Sequence, residues 1–260
     1  MPSPSRQHPT TRDFRHQAAV VIPALNEGNC VAETVQRWHD GGVAIIRVID
    51  NGSSDDTTAR AGAAGAAVLQ EPRRGYGAAA WTGLQDLPPA IEWVIFSAAD
   101  GSDRLSEAEA HEFQEAINQG AEFILGERVT LAVSRHCLTP AQRFGNALGC
   151  ELIALGWRHR YRDMASVRVV RRTALAAMKL QDRSFGWNVE MQVRAVELGL
   201  HIAEIPVTHH PRSAGTSKIS GNFRGVVRAG WSMLATLGHL FASRASRQNP
   251  STRRNNHDTA

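Results

Sequence analysis

Short apolar runs of strand length alternate with stretches of helical periodicity through the first half of the chain. Residues 18–22, Ala-Ala-Val-Val-Ile, form an unbroken apolar run, and similar runs recur at 43–49, 66–70, 91–96 and 121–125. Between them the spacing predicts helices over 29–39, 55–64, 77–84 and 106–118, the third opened by Gly75-Tyr-Gly77. Continuous apolar strands, as opposed to alternating ones, are buried on both faces, and intervening helices supply both the cover and the crossovers. The predicted fold class is α/β, with a mostly parallel sheet flanked by helices. The second half is less regular: a helix over 142–157, a strand at 167–170, a helix over 189–198, a strand-like 200–205 and a long helix over 222–241. Residues 18–242 read as one domain. Segments 1–17 and 243–260 are polar, lack the apolar residues that offset ordering entropy, and are expected to be disordered.

In a parallel sheet ligands bind beyond the carboxyl ends of the strands. The loops there are Pro23-Ala-Leu-Asn-Glu27, Asp50-Asn-Gly-Ser-Ser-Asp55, Glu71-Pro-Arg-Arg-Gly-Tyr-Gly77 and Ala98-Ala-Asp-Gly-Ser-Asp103, each polar, acidic or glycine-bearing. Asp100, Ser102 and Asp103 place oxygen donors directly after a strand, the ligand type that Mg2+ and Mn2+ take together with substrate phosphates. An Asp-Gly turn bonded to its own backbone is the other reading. Asp50 ends a strand, where a carboxylate can accept from ribose hydroxyls or a base N–H, or belong to a turn before a helix capped by Ser53, Ser54 or Asp55. Arg73, Arg74 and Gly75 lead into a predicted helix N-terminus, which favours anions. Their spacing matches neither a dinucleotide-binding fingerprint nor a Walker A loop. Arg128, Arg143, Arg168, Arg212 and Lys218 are scattered through the second half, and arginine forks suit phosphate recognition. Glu190 follows Gly186-Trp-Asn as a base or an orienting group. His209 and His210 are adjacent, so in a strand they point to opposite faces and share no metal.

Composition narrows this further. The chain has 260 residues, 42% hydrophobic and 21% charged, with formal charge +4. That is ordinary for a globular protein. No apolar run reaches the roughly 20 residues a membrane span requires, and residues 1–10 lack the apolar stretch of a secretory signal. A cytoplasmic location is expected. The three cysteines, Cys30, Cys137 and Cys150, are widely spaced and read as reduced thiols. Basic residues gather at the two ends (Arg6, Arg12 and Arg15; Arg244, Arg247, Arg253 and Arg254), read as solvated tails, with no nucleic-acid partner expected.

Taken in order, the loops resemble those of the inverting family 2 glycosyltransferases of the GT-A fold, in the branch similar to bacterial polyprenyl (dolichyl) phosphate sugar synthases. Val20-Val-Ile-Pro-Ala-Leu-Asn-Glu27, Val48-Ile-Asp-Asn-Gly-Ser-Ser-Asp55, Glu71-Pro-Arg-Arg-Gly-Tyr-Gly-Ala-Ala and Ala99-Asp-Gly-Ser-Asp carry the first half. Arg143-Phe-Gly-Asn146, Tyr161-Arg-Asp-Met-Ala-Ser-Val-Arg168, Gly186-Trp-Asn-Val-Glu-Met191, Glu204-Ile-Pro-Val207 and Arg212-Ser-Ala-Gly-Thr-Ser-Lys-Ile-Ser220 carry the second.

The resemblance implies metal-dependent, inverting sugar transfer from a UDP-, GDP- or dTDP-linked donor to polyprenyl phosphate. The alternatives are a degenerate binder of nucleotide sugars and a transferase for a soluble hydroxyl acceptor. Pro23, Asn26, Glu27 and Asp50 would line the nucleotide pocket, with Arg74 and Gly75 on the donor side. Asp100 would bind Mg2+ or Mn2+, with Ser102 or Asp103 supplementing it, because Ala98 stands where the family has the first Asp of an Asp-x-Asp motif. Arg128 and Arg143 would face the acceptor phosphate, Arg212 and Lys218 would close over the diphosphate, and Asp163 and Glu190 would lie near the reacting centre, Asp163 first and Glu190 second as the base that a hydroxyl acceptor needs. Ala165-Ser166-Val167 replace the family's Gly-Pro-Phe. The helix over 222–241 carries Phe223, Val226, Val227, Trp231, Leu234, Leu237 and Phe241, and so could lie on the inner face of a membrane.

Overall fold

The computed structural model describes residues 13–214 and 223–248, and within the last helix the side chains of residues 230–244. The first half alternates strand and helix as the apolar pattern predicts: β1 (Ala18–Ala24), α1 (Gly28–Asp40), β2 (Ile45–Asp50), α2 (Thr57–Ala63), β3 (Ala67–Gln70), α3 (Tyr76–Leu84), β4 (Trp93–Phe96), α4 (Glu107–Asn118) and β5 (Phe123–Glu127). The rest is α5 (Ala132–Cys137), α6 (Pro140–Trp157), β6 (Arg168–Arg171), α7 (Arg172–Met178), α8 (Trp187–Glu197), β7 (Ile202–Pro206) and α9 (Phe223–Gln248). The strands form one seven-stranded sheet in the order β3-β2-β1-β4-β6-β5-β7. Every pairing is parallel except those of β6, which runs antiparallel to both β4 and β5.

Alternate strand positions feed two cores, one on each face of the sheet. Ala19, Val21, Val94 and Phe96 point to the face covered by α3, α6, α7, α8 and the Leu237–Leu240 stretch of α9. Ala18, Val20, Ile22, Trp93 and Ile95 point to the face covered by α1, α2 and α4. Burial on both sides is why β1 and β4 read as unbroken apolar runs. Gly83 lets α3 lie close on the sheet: a Cβ there would sit 2.5 Å from Val21 and 2.7 Å from Ile49. Local signals start the well-defined helices. Ser106 with Glu109 forms a capping box on α4, and Thr139 with Gln142 forms one on α6 behind Pro140.

Described structure extends past residues 18–242 on both sides. Residues 14–17 form a 3-10 turn, and Phe14 is 1% exposed, because one aromatic against β1 offsets the ordering of a short polar segment. At the other end α9 runs on to Gln248. The short α5 and α7 also add to the pattern, each too brief for a periodicity to register. No helix among the described residues is long and apolar enough to cross a membrane.

Candidate functional site

The loops after β1, β2 and β3 are knitted into one cradle by side chains bonding to main chain. Asn26 sits in the left-handed region at φ 54°. Its N–H donates to Ser53 Oγ (2.8 Å), and its Oδ1 accepts from the Ser54 N–H (2.7 Å). The N–H groups of Glu27 and Gly28 donate to Thr57 Oγ1 and Asp55 Oδ2. Asp50 is 4% exposed and accepts from the Ser53 N–H at 3.1 Å, which closes the β2 turn. Pro23 lies within β1, one residue before its end. Asn51 is the hub that the sequence reading passed over as part of a turn. Its amide donates to the carbonyls of Glu71 and Arg73, and its Oδ1 accepts from the Gly75 N–H. The Asn-Gly pair at a strand end carried that signal. Arg74 lies against Gly52, its guanidinium carbon 3.2 Å from where a Cβ would stand.

The N-terminus of α3 differs from the anion site anticipated there. The N–H groups of Gly77 and Ala78 donate to the carbonyls of Ser184 and Arg183, so the first turn is already satisfied by a neighbouring loop. Gly75, at φ 149°, and Gly77 permit that approach. A Cβ would come within 2.2 Å of Arg183 O at position 75 and within 2.6 Å of Asp182 O at position 77.

After β4 the chain turns at Asp100-Gly101-Ser102. Asp100 Oδ1 accepts from Ser102 Oγ (2.5 Å) and the Ser102 N–H (3.1 Å), while Oδ2 accepts from Arg212 Nη1 (2.8 Å). The same guanidinium reaches Glu27 through Nη2 at 2.5 Å, joining the β1 and β4 loops. Asp103 faces inward. Its Oδ2 accepts from the Ala98 N–H (2.8 Å), its Oδ1 accepts from Ser166 Oγ (2.6 Å), and His209 Nδ1 stands 3.7 Å away. Burial opposes its charge, but His209, Ser166 and the Ala98 N–H together hold the carboxyl below its ordinary value. The structure thus brings Glu27, Asp100 and Arg212 together and spends Asp103 on the scaffold. Lys218 lies outside the described residues.

Directly after β5, Arg128 and Asp163 form a buried bidentate pair. Asp163 Oδ2 accepts from the Arg128 N–H and Nε, each at 2.8 Å, and Oδ1 accepts from Nη2 at 2.9 Å. Burial opposes the Asp163 charge, yet the guanidinium and its hydrogen bonds hold the carboxyl below the usual range. Glu190, 3% exposed, accepts from the N–H groups of Gln181 (2.9 Å) and Asp182 (2.7 Å) and so shapes the loop that packs on α3. Arg143 is exposed near the start of α6, its Nε donating to Leu138 O. Arg168, fully buried, holds the 164–166 turn through the carbonyls of Met164 and Ser166, and burial pushes its pKa down to about 10. Glu127, next to Arg128 in the chain and fully buried, accepts from the Val129 and Thr130 N–H groups and was passed over by the sequence reading. An acid closing an apolar strand was the available signal.

No family model matches the chain. An uncharacterized glycosyltransferase of Mycobacterium tuberculosis is 35% identical over 216 residues, covering 81% of this chain and 93% of the relative. A polyprenol monophosphomannose synthase of Mycolicibacterium smegmatis is 27% identical, covering 84% of this chain and 85% of its own. Among solved structures, glucosyl-3-phosphoglycerate synthase of M. tuberculosis, in complex with Mn2+, UDP-glucose and phosphoglyceric acid, superposes with a TM-score of 0.61 at 18% identity, covering 90% of this chain and 86% of that one. The sheet and its flanking helices thus form a GT-A fold, and the chain belongs to the glycosyltransferases.

Proposed function

We propose that the protein transfers a sugar, with inversion, from a nucleoside-diphosphate sugar to polyprenyl phosphate, with Mg2+ or Mn2+ bound at Asp100. The observation that carries the acceptor class is the state of the two candidate bases. A hydroxyl acceptor needs a base within reach, at a pKa near the working pH. Asp163 is fully buried, paired with Arg128 and held below the ordinary carboxyl range. Glu190 is 3% exposed and bonded to two main-chain N–H groups. Neither is placed to accept a proton from an alcohol. A phosphate oxygen is already an anion and needs no base.

The residues present fit a divalent cation that arrives with its ligands. Asp100 offers a hard oxygen donor at a place that already holds a positive group, the Arg212 guanidinium. Among the described residues no cluster of three or more His, Cys, Asp or Glu is arranged to hold an ion alone. Mg2+-type sites commonly use one or two carboxylates, with substrate phosphates and water completing the shell. Such a cation supplies charge stabilisation to the departing diphosphate. The other roles belong to the chain itself. Asn26, Asp50 and Arg74 border the nucleotide, Arg212 offers a fork to the diphosphate, and Arg143 is the accessible cation on the acceptor side. Arg128 and Asp163 hold the acceptor wall rigid.

A lipid acceptor requires a membrane surface, at the inner face in this reading. α9 buries Leu237 and Leu240 against the domain while Trp231 (74%), Leu234 and Phe241 remain exposed, and α6 exposes Phe144. Since the phosphoglycerate synthase binds phosphoglyceric acid, which carries a hydroxyl beside its phosphate, transfer to the hydroxyl of a soluble phosphate-bearing acceptor is the second reading. The experiment is incubation of the protein and Mn2+ with labelled UDP-, GDP- and dTDP-sugars, offering polyprenyl phosphate, 3-phosphoglycerate or a simple alcohol. Organic-extractable label with polyprenyl phosphate supports the first reading, and aqueous label with phosphoglycerate supports the second. Transfer to the alcohol alone overturns both.

A further inference from the structure

The segment after β7 lies across the Asp100 turn as a strap, held along its length. The Thr208 N–H donates to Glu109 Oε1 (2.6 Å) and the His209 N–H to Ser134 Oγ (2.9 Å). The His210 N–H donates to Ser102 O (3.1 Å) and the Ser213 N–H to Asp100 O (3.0 Å). Cys30 Sγ contacts Ala214 O at 3.3 Å. The strap is tight: a Cβ on Gly101 would come within 2.3 Å of Ser213 Oγ. Among its described residues Arg212 is the arginine over the turn, dividing its two Nη groups between Glu27 and Asp100.

This geometry has a consequence for the order of events. Glu27 and Asp100 come from different loops and converge on one place, where two carboxylates repel unless a cation stands between them. The side chains of Arg212, Glu27 and Asp100 are 21%, 12% and 18% exposed, so water screens the contact only in part. A metal approaching Asp100 must therefore displace a charge-assisted hydrogen bond. A diphosphate changes the balance, because its oxygens supply ligands to the metal and give the released guanidinium a new bidentate partner.

We propose that Arg212 is a built-in surrogate cation that holds the metal-binding carboxylate until a nucleoside diphosphate arrives, so that metal and donor bind together and metal alone binds weakly. This rests on the assignment of the metal to Asp100. By linkage the coupling is reciprocal: the nucleotide strengthens metal binding by the factor with which metal strengthens nucleotide binding. No covalent step is involved. The guanidinium exchanges a carboxylate for a phosphate, and a divalent cation entering with the two negative charges of a nucleoside-diphosphate sugar leaves the net charge at the site unchanged.

The test is titration of Mn2+ into the full-length protein, followed by loss of the free-ion EPR signal, with and without UDP or GDP. In the wild type, weak binding of Mn2+ alone should tighten on adding nucleotide. Arg212→Gln removes the competing cation, so Mn2+ alone should bind about tenfold or more tighter, the scale of one charge-assisted hydrogen bond. The gain from nucleotide should then shrink by a similar factor. Arg212→Lys, which keeps the charge but reaches one carboxylate at a time, should fall between. Thermal melts of both variants establish that they are folded. Unchanged affinity for Mn2+ alone in a folded Arg212→Gln or Arg212→Lys protein overturns the exchange. The metal assignment fails separately if Asp100→Asn binds Mn2+ as the wild type does with nucleotide present, or if the wild type binds none under either condition.

Discussion

Replacing Asp163 by Asn separates a structural from a catalytic role for this carboxylate. Asp163 is fully buried and accepts three hydrogen bonds from Arg128, at 2.8, 2.8 and 2.9 Å, with the Ala165 main chain adding to them. The Arg128 side chain is only 14% exposed, so losing the carboxylate leaves a guanidinium that water reaches poorly. Breaking one side of a buried pair costs about 3–5 kcal/mol. Asn keeps one acceptor oxygen but turns an N–H2 toward a donor, so the expected loss is about 3 kcal/mol, the lower end of that range. Urea unfolding should show it as a lowered midpoint with an unchanged slope. The pH dependence has a definite sign. Because the folded carboxyl is held below its unfolded value, its contribution is present above the unfolded pKa of about 3.9. It is lost as pH falls through the lower folded value. The stability gap between wild type and variant should hold steady from about pH 7 to 5 and close only below about pH 4. Activity per folded molecule should fall by no more than about tenfold, the scale of a small misplacement and not of a lost base. A variant of wild-type stability whose turnover drops about a thousandfold, the effect of removing a base, would refute the structural assignment and make Asp163 the base.

Further tests address the cradle, the acceptor wall and the membrane surface. Gly77→Ala places a methyl 2.6 Å from Asp182 O and 2.9 Å from Arg183 Cα. It should cost about 1–3 kcal/mol and weaken the thermal shift given by nucleotide sugars, since the displaced loop adjoins Gly75 and Asn51. Ala165 is a non-glycine residue at φ 40°, so Ala165→Gly should raise the melting temperature, because about 1–2 kcal/mol of left-handed strain exceeds the roughly 0.5–1 kcal/mol of chain entropy that glycine adds. A lowered melting temperature would mean that the alanine methyl contributes more by packing than it costs in strain. Trp231→Ser should reduce flotation with anionic liposomes while leaving the melting temperature within about 2 °C, because an exposed substitution changes stability little. Equal flotation would remove α9 as the membrane contact.

Strand runs at 18–22, 43–49, 66–70, 91–96 and 121–125 were legible because burial on both faces forces continuous apolar sequence, and each falls on an observed strand within a few residues. Periodicity set the α4 start within one residue, whereas α6 begins at Pro140, two residues before the expected 142, behind a Thr139 capping box that the periodicity does not register. The direction of β6 was not. A four-residue Arg-Val-Val-Arg strand carries no direction in its pattern, and insertion between β4 and β5 is decided by the neighbours it pairs with. At the site, the sequence by itself determined which loops carry polar and acidic groups, because they must follow the strand ends. Which of those groups meet was decided only by tertiary structure. Asp100 and Asp103 lie three residues apart, yet one meets Arg212 from a strap more than a hundred residues away while the other turns inward to Ala98, Ser166 and His209. A carboxylate's role depends on the donors that converge on it, and those donors arrive from segments whose proximity is a property of the folded sheet.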